Sequence, residues 1–296
     1  MRIGLVGVGL LGSAMAERLL SAGHEVVGWD LQADALARLR GLGGVVSEGA
    51  VEALSCDHVL LSLPRDRDVA AVVDENQGEM RAGITVVDTT TGDPNRQAEM
   101  GRRLSAVGVK YLDATIGGSS RHVREGRAVA MVGGDLEAFE SVESVLASFT
   151  SRTFHVGPCG NGSRMKLVVN LVLGLNRASL AEGLALASSL GLDLDLALDC
   201  LVAGPAWSRA MDDKGRKMID GDFSPQARLS QHLKDVRLML AAADERDLEL
   251  PLTRLHETLL AAVEAAGGGH DDNSSVVRAW GLHPLADVQE PVTGES

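Results

Sequence analysis

This 296-residue sequence has few basic residues, few cysteines and no recognisable metal-binding spacing. Lys and Arg total 28 against 41 Asp and Glu, so the formal net charge is −13, and no Lys/Arg-rich run appears. That balance argues against binding nucleic acid or an anionic membrane through a broad basic surface. Cys56, Cys159 and Cys200 are far apart and form no Cys-x-x-Cys pair, which fits a reducing compartment and indicates neither a disulfide framework nor a zinc site. The histidines show no ligand spacing either, so we predict no metal.

The sequence also lacks an uncharged apolar stretch of the about 18 residues that a membrane span needs. The opening MRIGLVGVGLLGSAMAERLL has one early arginine and then an apolar run, so a signal peptide is the alternative interpretation. Its glycines would break a signal helix, and the chain continues into a helical pattern with Glu17 and Arg18. We therefore predict a soluble, cytoplasmic protein with a loose polar tail, DVQEPVTGES.

Short β-rich runs alternate with helical patterns through the first half of the chain. The predicted strands are RIGLVG, EVVGWD, HVLLSLP, TVVDTTT, KYLDAT and AVAMVGG. The predicted helices are LLGSAMAERLLSAG, ADALARLRG, RDVAAVVDE, PNRQAEMGRRLSAVG and DLEAFESVESVLASF. Val/Ile/Leu runs separated by amphipathic helices are what a parallel sheet covered on both faces requires. The pattern predicts an α/β fold that begins with a doubly wound, Rossmann-type parallel sheet.

Strand signals stop near Gly160, and helical patterns continue to the end, including SLAEGLALASSLG, ADERDLELPLTRLHETLLAAVEAAG and NSSVVRAWG. We therefore predict two domains, a sheet domain over residues 1–160 and an all-helical domain over 161–296. The helix that opens the second domain lies at the junction, where ligand clefts form.

The first strand-to-helix turn reads GVGLLG, from Gly7 through Gly9, Leu10 and Leu11 to Gly12. This is G-x-G-x-x-G between a strand and a helix, and a second strand ends in an aspartate close to the expected distance of ~20 residues. The first glycine permits the tight turn, the second lets the backbone approach a pyrophosphate, and the third lets the helix pack on the strand. The turn predicts a dinucleotide site at the helix N-terminus.

The aspartate that ends the second strand, Asp30, bears on the choice of dinucleotide. A carboxylate there can accept hydrogen bonds from ribose hydroxyls but repels a 2′-phosphate, and Leu31 to Asp34 supply no arginine. The sequence favours NAD over NADP. Two alternatives remain open: Asp30 only caps the turn, or Arg38 or Arg40 on the next helix holds a 2′-phosphate.

A polar stripe interrupts the apolar helix pattern GNGSRMKLVVNLVLGLNRASLAEGLALA. Lys166 and Asn170 are one turn apart on one face, and Arg177 falls on nearly the same azimuth. Burying an unpartnered lysine is costly, so the stripe should face a wet cavity, a counter-ion or a substrate. The alternative is a lysine that snorkels to the surface.

Taken in order, these motifs resemble the β-hydroxyacid dehydrogenases, which include 3-hydroxyisobutyrate dehydrogenase, tartronate semialdehyde reductase and, more distantly, 6-phosphogluconate dehydrogenase. The resemblance runs over nearly the whole chain. It rests on GLVGVGLLGSAMAERLLSAGHEV, on DTTTGDP and on DATIGGSSRHVREGRAVAMVGG. It continues through GPCGNGSRMKLVVN, which resembles the family's turn leading into Lys-x-x-x-Asn, and through HLKDVRL, which resembles its Lys-Asp pair.

The resemblance implies that Lys166 is the catalytic lysine and Asn170 the asparagine beside it. Oxidising an alcohol by hydride loss requires that the hydroxyl proton leave, and a desolvated lysine can take it. Asn170 would hold a substrate oxygen or Lys166. Lys234 would reach the substrate from the helical domain, unless the Lys-Asp pair is only a solvated surface feature. Because adjacent residues point apart, we expect Asp235 not to pair with Lys234.

The chain departs from the family at the turn that usually meets the substrate carboxylate, Ser-Gly-Gly. Here the turn reads Gly117-Gly118-Ser119, followed by Ser120, and a threonine replaces the preceding proline. We expect backbone donors at Gly118 and Ser119 to remain, with a displaced hydroxyl from Ser119 or Ser120. The side-chain charges of Arg121 and His122 could add to these donors. The alternative is a loop that only turns the chain.

Two further segments end predicted strands at the edge where open α/β sheets bind ligands. They supply Leu63, Pro64 and Thr91, which we assign to the cofactor wall.

The sequence therefore predicts an NAD-dependent dehydrogenase or reductase of a small β-hydroxy acid or its semialdehyde. Residues 1–160 would bind the dinucleotide, and residues 161–296 would serve the substrate, a small carboxylate, and the assembly of a homo-oligomer. The alternatives are an NADP-dependent semialdehyde or imine reductase and a dinucleotide-binding scaffold without turnover.

Overall fold

The computed structural model describes residues 1–285, in which the chain divides into two compact units. Unit 1 is Met1–Lys166, and unit 2 begins at Leu167. The predicted boundary after residue 160 coincides with the start of a long helix at Asn161, whereas the units divide inside that helix. The segment DVQEPVTGES, predicted to be a loose tail, lies outside the described residues.

Unit 1 is built on an eight-stranded sheet with the order β3-β2-β1-β4-β5-β6-β7-β8. The first six strands run parallel, β7 pairs antiparallel with β6, and β8 runs parallel to β7. The predicted doubly wound parallel sheet is confirmed, with an antiparallel addition at one edge. The strands are β1 (Arg2–Val6), β2 (Glu25–Trp29), β3 (Val45–Val46), β4 (His58–Leu61), β5 (Thr85–Asp88), β6 (Lys110–Gly117), β7 (Ala128–Gly133) and β8 (Thr150–His155).

Both faces of this sheet are covered. Along β1, Ile3 and Leu5 enter one apolar core and Val6 enters the other, as the two-residue period of a strand requires. Helices α1, α2, α6 and α7 supply the first core, and α3, α4 and α5 supply the second. The helices are α1 (Leu10–Ser21), α2 (Ala33–Gly41), α3 (Ala50–Leu54), α4 (Asp66–Asn76), α5 (Pro94–Ser105), α6 (Ser120–Arg124) and α7 (Leu136–Ala147), with a 3₁₀ turn at Gln77–Glu79.

The sequence patterns missed the strands at the two edges of the sheet. The edge strand β3 has two residues, and β8, which reads TSRTFH, is polar and partly exposed along most of its length. An edge strand is paired on one side only and need not carry the continuous apolar run that marks a central strand.

Unit 2 is helical, and its core is formed by residues such as Leu180, Leu184, Met218, Leu233 and Leu260. Its helices are α8 (Asn161–Ser189), which starts in unit 1, α9 (Leu194–Ala203), α10 (Arg209–Asp220), α11 (Leu229–Asp244) and α12 (Pro251–Ala265). The predicted all-helical character is confirmed for the described residues. The run NSSVVRAWG is a 3₁₀ helix, Asn273–Trp280, and not the expected α-helix. The Asp272 side chain accepts from the Ser274 N–H and forms a tight turn there.

Among residues 1–285, α8 is the one helix long and apolar enough to cross a membrane by length and composition. In its second half, Leu180, Ala181 and Leu184 lie in the core of unit 2 and are at most 1% exposed. Core helices of globular proteins share this length and composition.

Candidate active site

Two of the three glycines in the first strand-to-helix turn are required by the backbone. Gly7 has φ +93°, and a Cβ there would lie 2.3 Å from the Ser62 carbonyl oxygen. A Cβ on Gly12 would lie 2.0 Å from the Gly7 carbonyl oxygen. The turn is therefore held tightly between β1, the loop after β4 and α1.

The third glycine, Gly9, leaves space above the turn. A Cβ there would have no atom of the described residues within 4 Å. Helix α1 begins at Leu10, and no described side chain caps its first N–H groups, which include those of Leu10 and Leu11. Open space at uncapped N–H groups and the positive end of a helix dipole fits a diphosphate.

Asp30 lies at the carboxyl end of β2 and supports this turn. Its Oδ2 accepts from the Val8 N–H at 2.6 Å, and its Oδ1 accepts from the Gln32 N–H at 2.8 Å. Each carboxylate oxygen can still accept another hydrogen bond. Asp30 thus caps the turn, as the structural alternative expected, and its carboxylate can also hold ribose hydroxyls.

The predicted wall residues lie in the loops that follow β4 and β5, the strands next to β1 in the sheet. The Leu63 N–H donates to Thr90 Oγ1 at 3.2 Å, which ties the two loops together. Leu63 also approaches the glycine turn, because its Cδ2 lies 3.0 Å from the position of a Cβ on Gly7. Pro64 is exposed and Thr91 half-buried. The structure therefore gathers the turn, Asp30 and the wall at the carboxyl edge of one sheet.

Lys166, on the second turn of α8, contacts the end of β6. Its Nζ donates to the Ile116 carbonyl oxygen at 2.7 Å, next to Gly117. The start of α8 is attached to the same strand: Asp113 Oδ1 accepts from the Gly160 N–H and Oδ2 from the Ser163 N–H, both at 2.8 Å. The lysine and the Gly117 turn are thus brought together within unit 1, and the lysine does not simply snorkel to solvent.

Asp113 is a site residue that the sequence patterns missed. It has no exposed surface, and burial raises the pKa of its carboxyl group to about 6. The hydrogen bonds from Ser163 and Gly160 lower this pKa and the charge of Asp88 raises it, but each of these effects is smaller than that of burial. Gly162 fits against this strand only without a side chain, because a Cβ there would lie 2.1 Å from the Asp113 carbonyl oxygen. The available signal was an aspartate inside a buried strand, where an ionisable group needs a specific partner.

The Gly117 turn keeps one of its two glycines for a conformational reason. Gly118 has φ +129°, whereas a Cβ on Gly117 would make an ordinary contact, 3.5 Å from the Val129 carbonyl oxygen. The Ser119 N–H, expected to remain available for a substrate carboxylate, donates to His122 Nδ1 at 3.1 Å. Ser119 Oγ lies at the same distance from that nitrogen, and Ser120 begins α6. The Ser119 donors already have a partner inside the loop.

In unit 2, Asp235 connects two of the predicted site residues. Its Oδ2 accepts from Asn170 Nδ2 at 3.1 Å, and its Oδ1 lies 3.4 Å from Lys234 Nζ. The expectation that Asp235 would not pair with Lys234 is wrong, because the long lysine side chain can fold back although the Cβ vectors diverge. A carboxylate only accepts, so the Asn170 amide nitrogen must face Asp235.

The third member of the polar stripe on α8, Arg177, lies inside unit 2 at 3% exposure. Its Nε and Nη1 have no hydrogen-bond partner among the described residues, and burial lowers the pKa of its guanidinium to about 10 against the opposing charge of Asp272. The three residues of the stripe therefore have different surroundings. Lys166 contacts β6, Asn170 contacts Asp235, and Arg177 is a buried cation.

Two family models together match most of the chain. Residues 2–157 match one described as the NAD binding domain of 6-phosphogluconate dehydrogenase. Residues 160–280 match one described as the NAD-binding domain of NADP-dependent 3-hydroxyisobutyrate dehydrogenase. The chain is 31% identical over 284 residues to 2-(hydroxymethyl)glutarate dehydrogenase from Eubacterium barkeri, with 94% of each chain covered. The chain belongs to the β-hydroxyacid dehydrogenase family.

Two other members of this β-hydroxyacid dehydrogenase family agree with that assignment. L-threonate dehydrogenase from Cupriavidus necator is 30% identical over 285 residues, which cover 94% of this chain and 95% of the relative. The crystal structure of 3-hydroxyisobutyrate dehydrogenase from Salmonella typhimurium superposes with a TM-score of 0.87 at 26% identity, covering 94% of this chain and 99% of that one. The predicted resemblance is confirmed: the protein is an NAD(P)-dependent oxidoreductase of the hydroxyacid dehydrogenase type, acting on CH–OH groups.

Proposed function

We propose that this β-hydroxyacid dehydrogenase uses NAD to oxidise a small β-hydroxy acid, or reduces its semialdehyde, with Lys166 as general acid and base. The observation that carries this proposal is the contact between Lys166 Nζ and the Ile116 carbonyl, beside the Gly117 turn. It puts a titratable amine next to the loop that would receive the substrate.

The chemistry divides between cofactor and protein. When bound, the nicotinamide supplies or accepts the hydride. Lys166 as a neutral amine takes the hydroxyl proton during oxidation, and as an ammonium it returns that proton during reduction. Both protonation states retain N–H groups, so Lys166 can keep its hydrogen bond to Ile116 in either state.

The helical residues would orient the substrate. Because the Asn170 amide nitrogen donates to Asp235, the amide oxygen is the atom left to accept a hydrogen bond from a substrate hydroxyl or from Lys166. Lys234, held beside Asp235, would add positive charge toward a substrate carboxylate.

Preference for NAD over NADP is supported by the surroundings of Asp30. Arg38 and Arg40, the arginines that could hold a 2′-phosphate, lie in the last turn of α2. Arg38 is five residues past Ala33, the first residue of α2, which is about 7.5 Å along the axis at 1.5 Å per residue. The carboxylate of Asp30 is nearer to the turn and would repel a 2′-phosphate.

The proposal includes a cytoplasmic homo-oligomer. Cys56, Cys159 and Cys200 are free thiols, as a reducing compartment allows. Val168 and Val172 on α8 are 58% and 52% exposed, an apolar surface that a second copy could cover.

The proposal is tested by measuring reduction of NAD and NADP with a panel of small hydroxy acids that includes 2-(hydroxymethyl)glutarate and L-threonate, the acids named for two relatives. We compare wild type with Lys166→Ala and with Lys110→Ala, a control at a partly exposed lysine at the start of β6. We expect turnover with NAD, and a 10²- to 10⁴-fold lower kcat in Lys166→Ala alone, the range for loss of a general acid or base.

Direct titration of NAD onto both lysine variants serves as the binding control, and the affinity should be unchanged. Tight NAD binding without turnover of any acid would favour the scaffold alternative. In a parallel assay with reduced cofactor, oxidation of NADPH by cyclic imines without turnover of any acid would favour imine reduction. Retained turnover in Lys166→Ala would remove Lys166 from the chemical step.

A further inference from the structure

The loop that departs from the family pattern carries an imidazole over its backbone. Cβ, Cγ and Nδ1 of His122 lie 3.0, 3.4 and 3.5 Å from the position that a Cβ on Gly118 would occupy. The ring is half-buried and covers Gly118, beside the position where the family pattern has a serine and this chain has Gly117.

Hydrogen bonding within the loop decides the state of this ring. His122 Nδ1 accepts from the Ser119 N–H, so it carries no proton in this arrangement. With Nδ1 as the acceptor, the donor of the ring is Nε2–H, on the far side of the ring from Ser119. The loop therefore fixes the direction in which the His122 ring presents its Nε2–H.

The other charged residue of this loop is occupied locally. Arg121 Nε lies 2.9 Å from Oε1 of Glu125, the residue after the end of α6, and Glu125 also pairs with Arg127. This leaves the imidazole as the side chain nearest to Gly118.

His122 is also close enough to the proposed acid/base to contact the same small molecule. Lys166 Nζ is attached to the Ile116 carbonyl, and Gly118 is two residues further on. Two residues of chain span at most about 7 Å. A hydroxy acid of a few carbons has its hydroxyl and carboxylate within a similar distance.

We propose that His122 Nε2–H binds the carboxylate of the hydroxy-acid substrate, replacing the hydroxyl that this chain lacks at Gly117, and so determines substrate specificity. This inference rests on the proposed function. By this proposal, Gly117 in place of the family serine reflects a different way of binding the substrate carboxylate and not a loss of catalysis.

His122 also caps α6, and the experiment must separate the two roles. Ser119 and His122 form a capping box at the start of α6 (Ser120–Arg124). Glutamate and glutamine are the usual residues at this position of a capping box. His122→Glu therefore keeps the cap but replaces the donor with an anion, His122→Gln keeps both the cap and an N–H donor, and His122→Ala loses both.

We would measure kcat and KM for the best acid of the panel, NAD affinity and the unfolding midpoint for wild type and these three variants. We expect His122→Glu to raise KM by about tenfold to a hundredfold, the effect of losing a charge-assisted hydrogen bond and adding repulsion, with wild-type NAD affinity and unfolding midpoint. His122→Gln should stay within about threefold of wild type. Gly117→Ser, which the contacts at Gly117 allow, should restore part of the KM of His122→Ala.

If His122→Glu matched wild type while His122→Ala alone was impaired, the residue would be a cap only and the inference would be overturned. Failure of the proposed function looks different, because wild type itself would then turn over no hydroxy acid.

Discussion

Asp113 lies in the middle of β6 and has no exposed surface. Burial therefore opposes ionisation of its carboxyl group. Its two oxygens accept the N–H groups of Gly160 and Ser163 and so attach the start of α8 to β6. Lys166 follows one turn later on that helix, and its amine reaches the same strand at Ile116. Asp113 is a positioning residue for the proposed acid/base.

The pKa of Asp113 has a definite consequence for stability. In the folded protein it is raised from 3.8 to about 6, so the folded state binds more protons than the unfolded state between these values. Stability contributed by this group is therefore complete below pH 3.8 and is lost as pH rises toward 6. The loss at pH 7 is of the order of 3 kcal/mol, at about 1.4 kcal/mol per pKa unit.

Asp113→Asn should separate stability from catalysis. The amide removes the buried charge but can accept only one of the two N–H groups, so the two changes in unfolding free energy nearly cancel at pH 7. Because the start of α8 shifts, we expect kcat to fall by about tenfold to a hundredfold.

The measurements for Asp113→Asn are urea unfolding at pH 4 and pH 7 and kcat at pH 7. Wild type should lose stability relative to the variant as the pH rises. A variant with normal kcat would show that Lys166 is positioned without Asp113, and one unfolded at pH 7 would show that the carboxylate is mainly structural.

At the scale of elements, the glycines of the first strand-to-helix turn have two different roles. Gly7 and Gly12 are needed by the fold, and Gly9 leaves room for a ligand. A Cβ on Gly12 would overlap the Gly7 carbonyl, whereas one on Gly9, with φ −68°, would enter open space among the described residues. We expect Gly12→Ala to lower the free energy of unfolding by about 1–3 kcal/mol. Gly9→Ala should keep its stability and bind NAD at least about tenfold more weakly, because its methyl group faces the diphosphate position.

Thermal unfolding without nucleotide and titration with NAD measure the two effects of this matched pair. Wild-type NAD affinity in Gly9→Ala would mean that the nucleotide does not approach this turn.

The strength of the sequence signal differed between elements for a physical reason. Central strands β1, β4 and β5 are buried on both faces and read as continuous apolar runs, which the sequence patterns identified. The edge strand β8 is largely polar, and α3 (Ala50–Leu54) and α6 have five residues each, which is too short for a helical periodicity to show. At the site, Lys166, Asn170 and the glycine turn follow local spacings. Asp113 and the Lys234–Asp235 pair depend on which groups folding brings near them.

At the scale of the whole molecule, the exposed apolar residues of α8 should be covered by another copy of the chain. Val168, Val169 and Val172 recur at helical spacing and are 39–58% exposed. We expect wild type to sediment as an oligomer and Val172→Asp to dissociate, because an aspartate would be desolvated at that surface. Leu136→Asp, at an equally exposed leucine in α7, is the control and should stay oligomeric. A monomeric wild type at micromolar concentration would contradict this expectation.

The sequence by itself determined the doubly wound sheet, the helical second half, the dinucleotide turn and the family, because each follows from local periodicity or from residues at a fixed short spacing. Only the tertiary structure decided that Asp113 holds the start of α8, that Asp235 joins Asn170 to Lys234, and that the His122 ring covers Gly118 and accepts the Ser119 N–H. Each of these contacts is a hydrogen bond or ion pair between groups that packing, or the path of a loop, brings together. The spacing of residues in the sequence does not encode which donor will face which acceptor.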